Sequence, residues 1–441
     1  MILYLLGVLV IAVGIAVSIA LHEVGHLVPA KRFGVKVPQY MVGFGPTLWS
    51  TRRGETEYGL KAVPLGGYVR MIGMFPPRAQ DGGRLRRATS NPFHQMVEQA
   101  RQDSLDEVGP GEEHRVFYRL PVWQRLVVMA GGPVMNLLIC TALITLILTV
   151  HGVGNNTSTV SAVAECANTD VSDADCAGQP PSPALEAGLQ VGDTIVSVDG
   201  TAVTDWSGTT YAIQNAGEQA VFVIERDGER RSLTADLVMR ERPLMNADGT
   251  LQLDGAGDPV WGQAGFLGAS PTFVYEPQPV SAVPGVVGEM FTGTARIILT
   301  LPQRMVDVAQ AAFGTEERDV DGPMSVVGVG RVAGEVASEG VLGVADTVAE
   351  RFWIVLSLIA SLNMALFVFN LIPLLPLDGG HIAGALWEGL KKAWARVRGL
   401  PVPGPVDTAK ALPVAYAVAV GLLGMTALLI YADIVKPISL G

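Results

Sequence analysis

Four stretches of this chain hold no charged residue and are mostly apolar: Met1–Leu21, Leu126–Val150, Phe352–Leu377 and Ala411–Ala432. Each is long enough to cross a hydrocarbon core of about 30 Å as a helix. Charged residues make up 17% of the 441, against roughly a quarter in soluble chains. The reading is a polytopic α-helical membrane protein with four transmembrane helices. The first run is not read as a secretory signal, because it lacks the positively charged start that a signal needs. Cleavage after Ser18-Ile19-Ala20 would also part the run from the polar motif that follows it.

Charge sets the expected topology. Residues 29–120 carry 14 Lys/Arg against 9 Asp/Glu, and residues 381–410 carry 5 against 2. Residues 151–350 carry 9 Arg, no Lys and 28 Asp/Glu. Short loops rich in Lys and Arg stay cytoplasmic. Segments 29–120 and 381–410 are therefore expected inside, with 151–350 and both termini outside. The lipid bilayer is the expected surrounding, and no nucleic-acid partner is expected.

The first run ends in "LHEVGH". His22 and His26 lie four apart, so on a helix they share a face and can hold one metal ion. H-E-x-x-H is the spacing of zinc peptidases. Glu23, next to the first ligand, can take a proton from a zinc-activated water. The bland alternative is two histidines and a glutamate marking a helix end at the membrane interface. A catalytic zinc needs a third protein ligand and an open position. None of His94, His114, His151 and His381 repeats the metzincin spacing.

The third run ends "FNLIPLLPLDGGH", with Asp378 at its cytoplasmic end. Ionisable residues in such places are rare and usually functional. The topology brings this end to the depth of His22 and His26. Asp378 is thus the candidate third ligand, with His381 as a rival. Pro373 and Pro376 break the helix and Gly379-Gly380 remove side chains, so open backbone would line a cavity there. Asn370 is a candidate donor to a substrate carbonyl or developing oxyanion, or else a helix–helix hydrogen bond. Asn363 is read as the latter. Asn136, beside Gly131-Gly132-Pro133, is read as a packing residue.

Between the first two spans, Gln39–Gly73 alternates short β-rich runs with Gly, Pro and an R-R-G-E turn, which is hairpin-like. Residues 78–115 are charged and poorly periodic, as in a flexible connection. In the outer segment, "STVSAVAE", "SPALEAGLQVGDTIVSVDGTAVTDW", "AVFVIERDG" and "RSLTADLV" read as strands with a short helix at Ala184–Gly188, a small α+β domain. The stretch from Val286 to Phe313 is amphipathic. It is expected on the outer membrane face or packed on the spans. Cys166 and Cys176 lie where a disulfide can persist, and a bridge and two free thiols both remain open. Cys140 is a core residue of the second span.

HEVGH ending one span and "NLIPLLPLDGG" ending a later one together resemble the site-2 protease family of intramembrane zinc metalloproteases, in an RseP-like order. "PLGGYVRMIG" (Pro64–Gly73) is similar to the family's membrane-associated β-hairpin. "GGPVMN" (Gly131–Asn136) resembles its second-span motif. "SPALEAGLQVGDTIVSVDG" (Ser182–Gly200) looks like a PDZ domain of the bacterial periplasmic type. "GPMSVVGVG" (Gly322–Gly330) resembles the segment that follows it. The likeness covers nearly the whole chain, with room for one PDZ domain where such enzymes often have two. An Ala/Val/Gly-rich, Lys-poor chain suits an actinobacterial member.

The resemblance implies this domain order: a first span at 1–30, a β-rich loop and linker at 31–120, a second span at 121–150, and an inserted α+β PDZ domain at 155–245. An amphipathic region at 246–350, a third span at 351–380, a cytoplasmic loop at 381–410 and a fourth span at 411–435 complete it. The resemblance implies Zn2+ held by His22, His26 and Asp378, with Glu23 as general base and Asn370 holding substrate or oxyanion. Gly66, Gly67 and Tyr68 would lie on a loop able to pair with an extended substrate strand. It implies cleavage within single-pass membrane proteins such as anti-sigma factors, after an upstream site-1 protease has trimmed them. This is regulated intramembrane proteolysis at the bacterial plasma membrane. The alternatives are a quality-control metalloprotease at the cytoplasmic face and an inactive PDZ scaffold. Asp378 at a span end argues against the first, and Glu23 against the second.

Overall fold

The computed structural model describes residues 1–77, 92–167, 176, 179–255, 258–314, 318–319, 322–339 and 347–438. Residues 78–91 of the expected flexible connection lie outside the described residues. In chain order the elements are α1 (Ile2–Arg32), β1 (Gln39–Arg53), β2 (Thr56–Arg70), α2 (Pro92–Asp106), α3 (Val122–Leu146) and β3 (Val153–Val163). There follow α4 (Pro183–Glu186), β4 (Thr194–Val198), β5 (Thr201–Ala202), α5 (Trp206–Asn215), β6 (Gln219–Arg226), β7 (Glu229–Asp236), β8 (Val238–Pro243), β9 (Trp261–Phe266) and β10 (Ala269–Glu276). The last are α6 (Val283–Phe313), α7 (Val326–Glu339), α8 (Val348–Asn370), α9 (Asp378–Val397) and α10 (Leu412–Val435). They divide into two compact units, one of residues 1–147 with 279–441 and the other of residues 148–278.

In the first unit, four helices among the described residues are long and apolar enough to cross a membrane: Ile2–Arg32, Val122–His151, Val348–Asn370 and Thr408–Val435. Lipid tails are as apolar as leucine, so spans associate through close backbone approach and polar contacts. Here α1 and α3 meet at Gly25 and Gly131, where a Cβ on either would overlap the carbonyl of the other. A Cβ at Gly14 would come 2.6 Å from Ile359 of α8. Nearby, Asn363 Nδ2 donates to Ser18 Oγ at 2.9 Å, the helix–helix contact expected for Asn363. Helix α7 packs on the same part of α1, with Ile11, Val332, Ala333, Val336, Val355 and Ile359 in one cluster. Near its end, α6 packs on α10 through Val308, Ala312, Leu429 and Ala432.

Two expectations are corrected here. The third span does not fill residues 351–380: with the break expected at Pro373 and Pro376, α8 stops at Asn370 and Asp378 opens a new helix. Pro373 and Pro376 cannot continue α8, and the chain folds back so tightly that a Cβ at Gly380 would lie 2.6 Å from Leu375 N. Residues 381–410 are not only a loop, since α9 runs to Val397. Within the supposed flexible connection, α2 is ordered by Arg101, which pairs with Glu98 at 3.0 Å and with Asp407 near the start of α10.

Strands β1 and β2 are long and fold over on themselves. Met41 is partnered by both Tyr68 and Gly59, and Val42 by both Gly67 and Leu60. Segment 67–70 therefore has the 39–42 strand on one side only. Tyr40 Oη donates to Ala20 O at 2.8 Å, tying this sheet to α1 just before the His-Glu motif. At the turn, Arg115 holds Glu55 through two bonds of 2.8 Å. That pairing keeps the Glu55 carboxyl below its ordinary range.

The second unit is a sheet in the order β10-β3-β4-β6-β7, with β5 paired to β4 and a separate β8-β9 ribbon. Its core gathers Val160 of β3, Ile195 and Val198 of β4, Phe222 and Ile224 of β6, and Leu237 between β7 and β8. Ser182 caps α4 and Asp205 caps α5 through their side-chain oxygens. The expected boundary at residue 245 falls inside this unit. Strand β10 runs antiparallel to β3, with Tyr275 opposite Gly154, and so covers an edge that β3 would otherwise leave unpaired. Cys166 and Cys176 are joined by a disulfide.

Candidate active site

Helix spacing brings His22 and His26 of α1 together, with their Nε2 atoms 3.2 Å apart. Asp378, first residue of α9, places Oδ2 3.3 Å from His22 Nε2 and 3.4 Å from His26 Nε2. One ligand atom from each of the three lies within 4.8 Å of the others. No other described group of three or more His, Cys, Asp or Glu residues comes so close together.

Whether these residues fit a metal depends on the far side of each ring. His26 Nδ1 lies 2.8 Å from Val128 O of α3. That contact requires the proton on Nδ1 and leaves the Nε2 lone pair facing Asp378. His22 Nδ1 lies 3.1 Å from the Asn136 amide of α3. With the amide turned so that its oxygen accepts from Nδ1–H, Nε2 of His22 is likewise free. The turned amide also satisfies Asn136 Oδ1, which is otherwise buried without a partner. Asp378 Oδ2 is a second buried oxygen without a hydrogen bond. Two imidazole lone pairs and an unsatisfied carboxylate oxygen pointing at one spot are what a zinc ion takes.

Gly132 of α3 keeps the space beside the two Nε2 atoms open. A Cβ there would overlap His26 Nε2 and come 2.6 Å from His22 Nε2. Gly132 and Asn136 lie four apart, so one face of α3 supplies both the gap and the hydrogen bond to His22. Reasoning from sequence gave this stretch to helix packing alone and missed the contacts that Gly132 and Asn136 make with the two histidines. The signal was a polar residue one turn beyond a glycine in an otherwise apolar span.

A cavity of about 420 Å³ opens beside the triad. Glu23, buried on α1, lines it together with Asn370 at the end of α8 and with His381. Gly66, Gly67, Tyr68 and Val69 form another wall. Gly67 is pressed so near the motif that a Cβ would come 2.9 Å from Glu23 Cγ and 3.2 Å from Ile19. Thus His22, Glu23, His26, Asp378, Asn370, Gly66, Gly67 and Tyr68 gather around one cavity. The rival ligand His381 lines the cavity but is not in the three-ligand group. The Cys166–Cys176 disulfide belongs to the second unit.

Comparison with known proteins agrees with this chemistry. Residues 10–400 match the family described as peptidase family M50. The chain is 36% identical over 447 residues to the zinc metalloprotease Rip1 of Mycobacterium tuberculosis, covering 99% of each chain. It is 34% identical over 451 residues to Rip1 of Mycolicibacterium smegmatis, covering 99% of this chain and 98% of that one. Against the metalloprotease MmpA of Caulobacter vibrioides the identity is 27% over 388 residues, covering 86% and 85%.

Proposed function

This chain belongs to peptidase family M50 and is a zinc metalloprotease integral to the membrane; on that premise we propose that it cuts within the transmembrane segments of single-pass membrane proteins. Anti-sigma factors already trimmed by an upstream site-1 protease are the substrate class. The enzyme would sit in the bacterial plasma membrane, with both termini and the second unit outside and the site towards the cytoplasm. We read the second unit as a single PDZ domain that receives or filters the trimmed substrate.

The observation that carries this reading is the position of segment 66–69. It lines the cavity beside Glu23 and is paired on its other side with 39–42. A transmembrane helix hides its peptide bonds, because every N–H and C=O is paired within it. It has to unwind before hydrolysis, and an unwound segment needs new hydrogen-bond partners. The free edge at Gly67–Val69 would supply them by strand addition, and the lack of side chains at Gly66 and Gly67 lets the segment lie close against Phe44 and Glu23.

His22, His26 and Asp378 would hold the zinc, with the Val128 carbonyl and Asn136 orienting the two rings. Bound zinc supplies Lewis acidity and a lowered water pKa. Glu23 takes the proton from the attacking water and returns it to the leaving amine. Asn370 donates a hydrogen bond to the substrate carbonyl as negative charge builds on its oxygen.

The test uses the full-length enzyme in bilayers with a single-pass substrate, either intact or with its outer domain removed. The expected result is a cut inside the membrane segment of the trimmed form alone, stopped by a chelator and restored by zinc. The Glu23→Gln enzyme should keep its zinc and cut about a thousandfold more slowly. Equally fast cutting of an unfolded soluble protein would favour quality control at the membrane face instead.

A further inference from the structure

Helix α9 has one face covered by protein and an opposite apolar face that is exposed. Its inner face buries Ala385, Glu388 and Ala395. Its outer face carries Leu386, Trp387, Leu390, Trp394 and Val397, which are 56–84% exposed. These five recur at spacings of three and four, so they form one stripe. The helix cannot turn the stripe inward. Arg125 of α3 grips Glu388 in a buried ion pair, Lys392 bonds the same carboxylate at 2.7 Å, and Val406 N donates to it at 2.9 Å.

Two further observations say what covers the stripe. The first is its level. Gly389 packs on Val122, the first residue of α3, so the stripe runs from beside the base of a candidate span to beyond it. Trp123 is also exposed there, its ring set edge-on to Phe33 at 5.2 Å. Exposed tryptophans at the end of a span mark the headgroup layer. The second is charge. Lys391, Arg396 and Arg398 border the stripe, and the Arg398 guanidinium lies over the Trp394 ring at 4.5 Å. An apolar stripe with tryptophans, edged by cations, is the composition of a helix that lies in an anionic lipid interface.

We propose that the outer face of α9 is a docking surface for anionic phospholipid headgroups. The stripe sinks to the headgroup–acyl boundary, Trp387 and Trp394 anchor it, and Lys391, Arg396 and Arg398 meet the phosphates. Since α9 begins at Asp378, the lipid that holds the helix also steadies a metal ligand. The proposal rests on the chain being integral to the membrane and not on its substrate class.

The test is tryptophan quenching of the full-length, zinc-loaded protein in nanodiscs of phosphatidylcholine mixed with phosphatidylglycerol. Bromine is carried on the acyl chains of one lipid or of the other, at equal share. The difference between wild type and Trp387→Phe/Trp394→Phe isolates the emission of the two α9 tryptophans. We expect brominated phosphatidylglycerol to quench that emission up to about fivefold more than brominated phosphatidylcholine, the preference that one well-placed cation confers. Lys391→Glu/Arg396→Glu/Arg398→Glu should bring the ratio to one. The milder triple change to Gln should give an intermediate ratio, with zinc content as the check on folding for both. Equal quenching by the two lipids in wild type would overturn the anionic preference. Emission quenched by neither would overturn the docking surface altogether, and would mean that protein, such as a second copy of the chain, covers the stripe.

Discussion

In the second unit the largest fully buried side chains are Phe222, Ile195 and Ile224. In the first, Asn136, Asn363 and Glu388 are enclosed as completely, while Leu9, Val134, Leu138 and Leu423 face outward. A unit surrounded by water is held by the apolar area that it removes from water. A unit surrounded by lipid gains little from that, so its spans are fixed by glycine contacts and by polar groups that must find partners. In the first unit, residues at the helix contacts also face the candidate site. Gly132 and Asn136 lie where α3 meets α1 and touch the rings of His22 and His26. The second unit keeps the two roles apart, because its core contains none of the cavity residues named above.

That contrast can be broken in graded steps. Gly132→Ala adds one methyl group where the ion belongs, so the full-length protein should purify without zinc and show no cleavage. Metal analysis beside a cleavage assay reads both, and retained zinc would mean that the gap is not the metal's place. Asn136→Leu should leave the helices packed but let the His22 ring turn. Zinc affinity should fall about 10- to 100-fold, measured by competition with a chelator. Ile224→Ala should destabilise the second unit by about 2–5 kcal/mol, seen as faster hydrogen exchange in β4, β6 and β7 of the full-length protein. Zinc content should not change.

The smallest effect concerns Asp193. Burial alone would raise its carboxyl, but Arg226 and the Gln190 amide hold it below its ordinary value. A lowered folded-state pKa stabilises above the unfolded value of about 3.9 and loses that contribution as pH falls through the folded value. Wild type should therefore lose protection in the second unit as pH drops below about 4. Asp193→Asn should start lower and lose less over the same range, while acid loss of zinc from the first unit stays the same.

Sequence made some of this legible. His22, Glu23, His26 and Asp378 stand out because charged or metal-binding residues at the ends of apolar runs are scarce, and their spacing has few uses. Asn136 was passed over because a single polar residue in a span more often serves packing. What separates the two roles is the ring that it meets, which only the crossing of α1 and α3 reveals. Strand β10 was missed because its partner β3 lies more than a hundred residues earlier. Local composition holds no trace of that pairing. Helix α9 was hidden because a Gly-Gly start and a basic second half read as loop, whereas the Arg125–Glu388 pair fixes it as a helix on α3.

The residues that would hold the metal lie far apart in the chain: His22 and His26 on α1, and Asp378 at the start of α9. Until the residues between them have been synthesised and Asp378 has followed, a nascent chain carries the HExxH motif with only two of the three groups that meet at the cavity. The hydrolytic centre would therefore be assembled after the motif that announces it, by the arrival of a second helix.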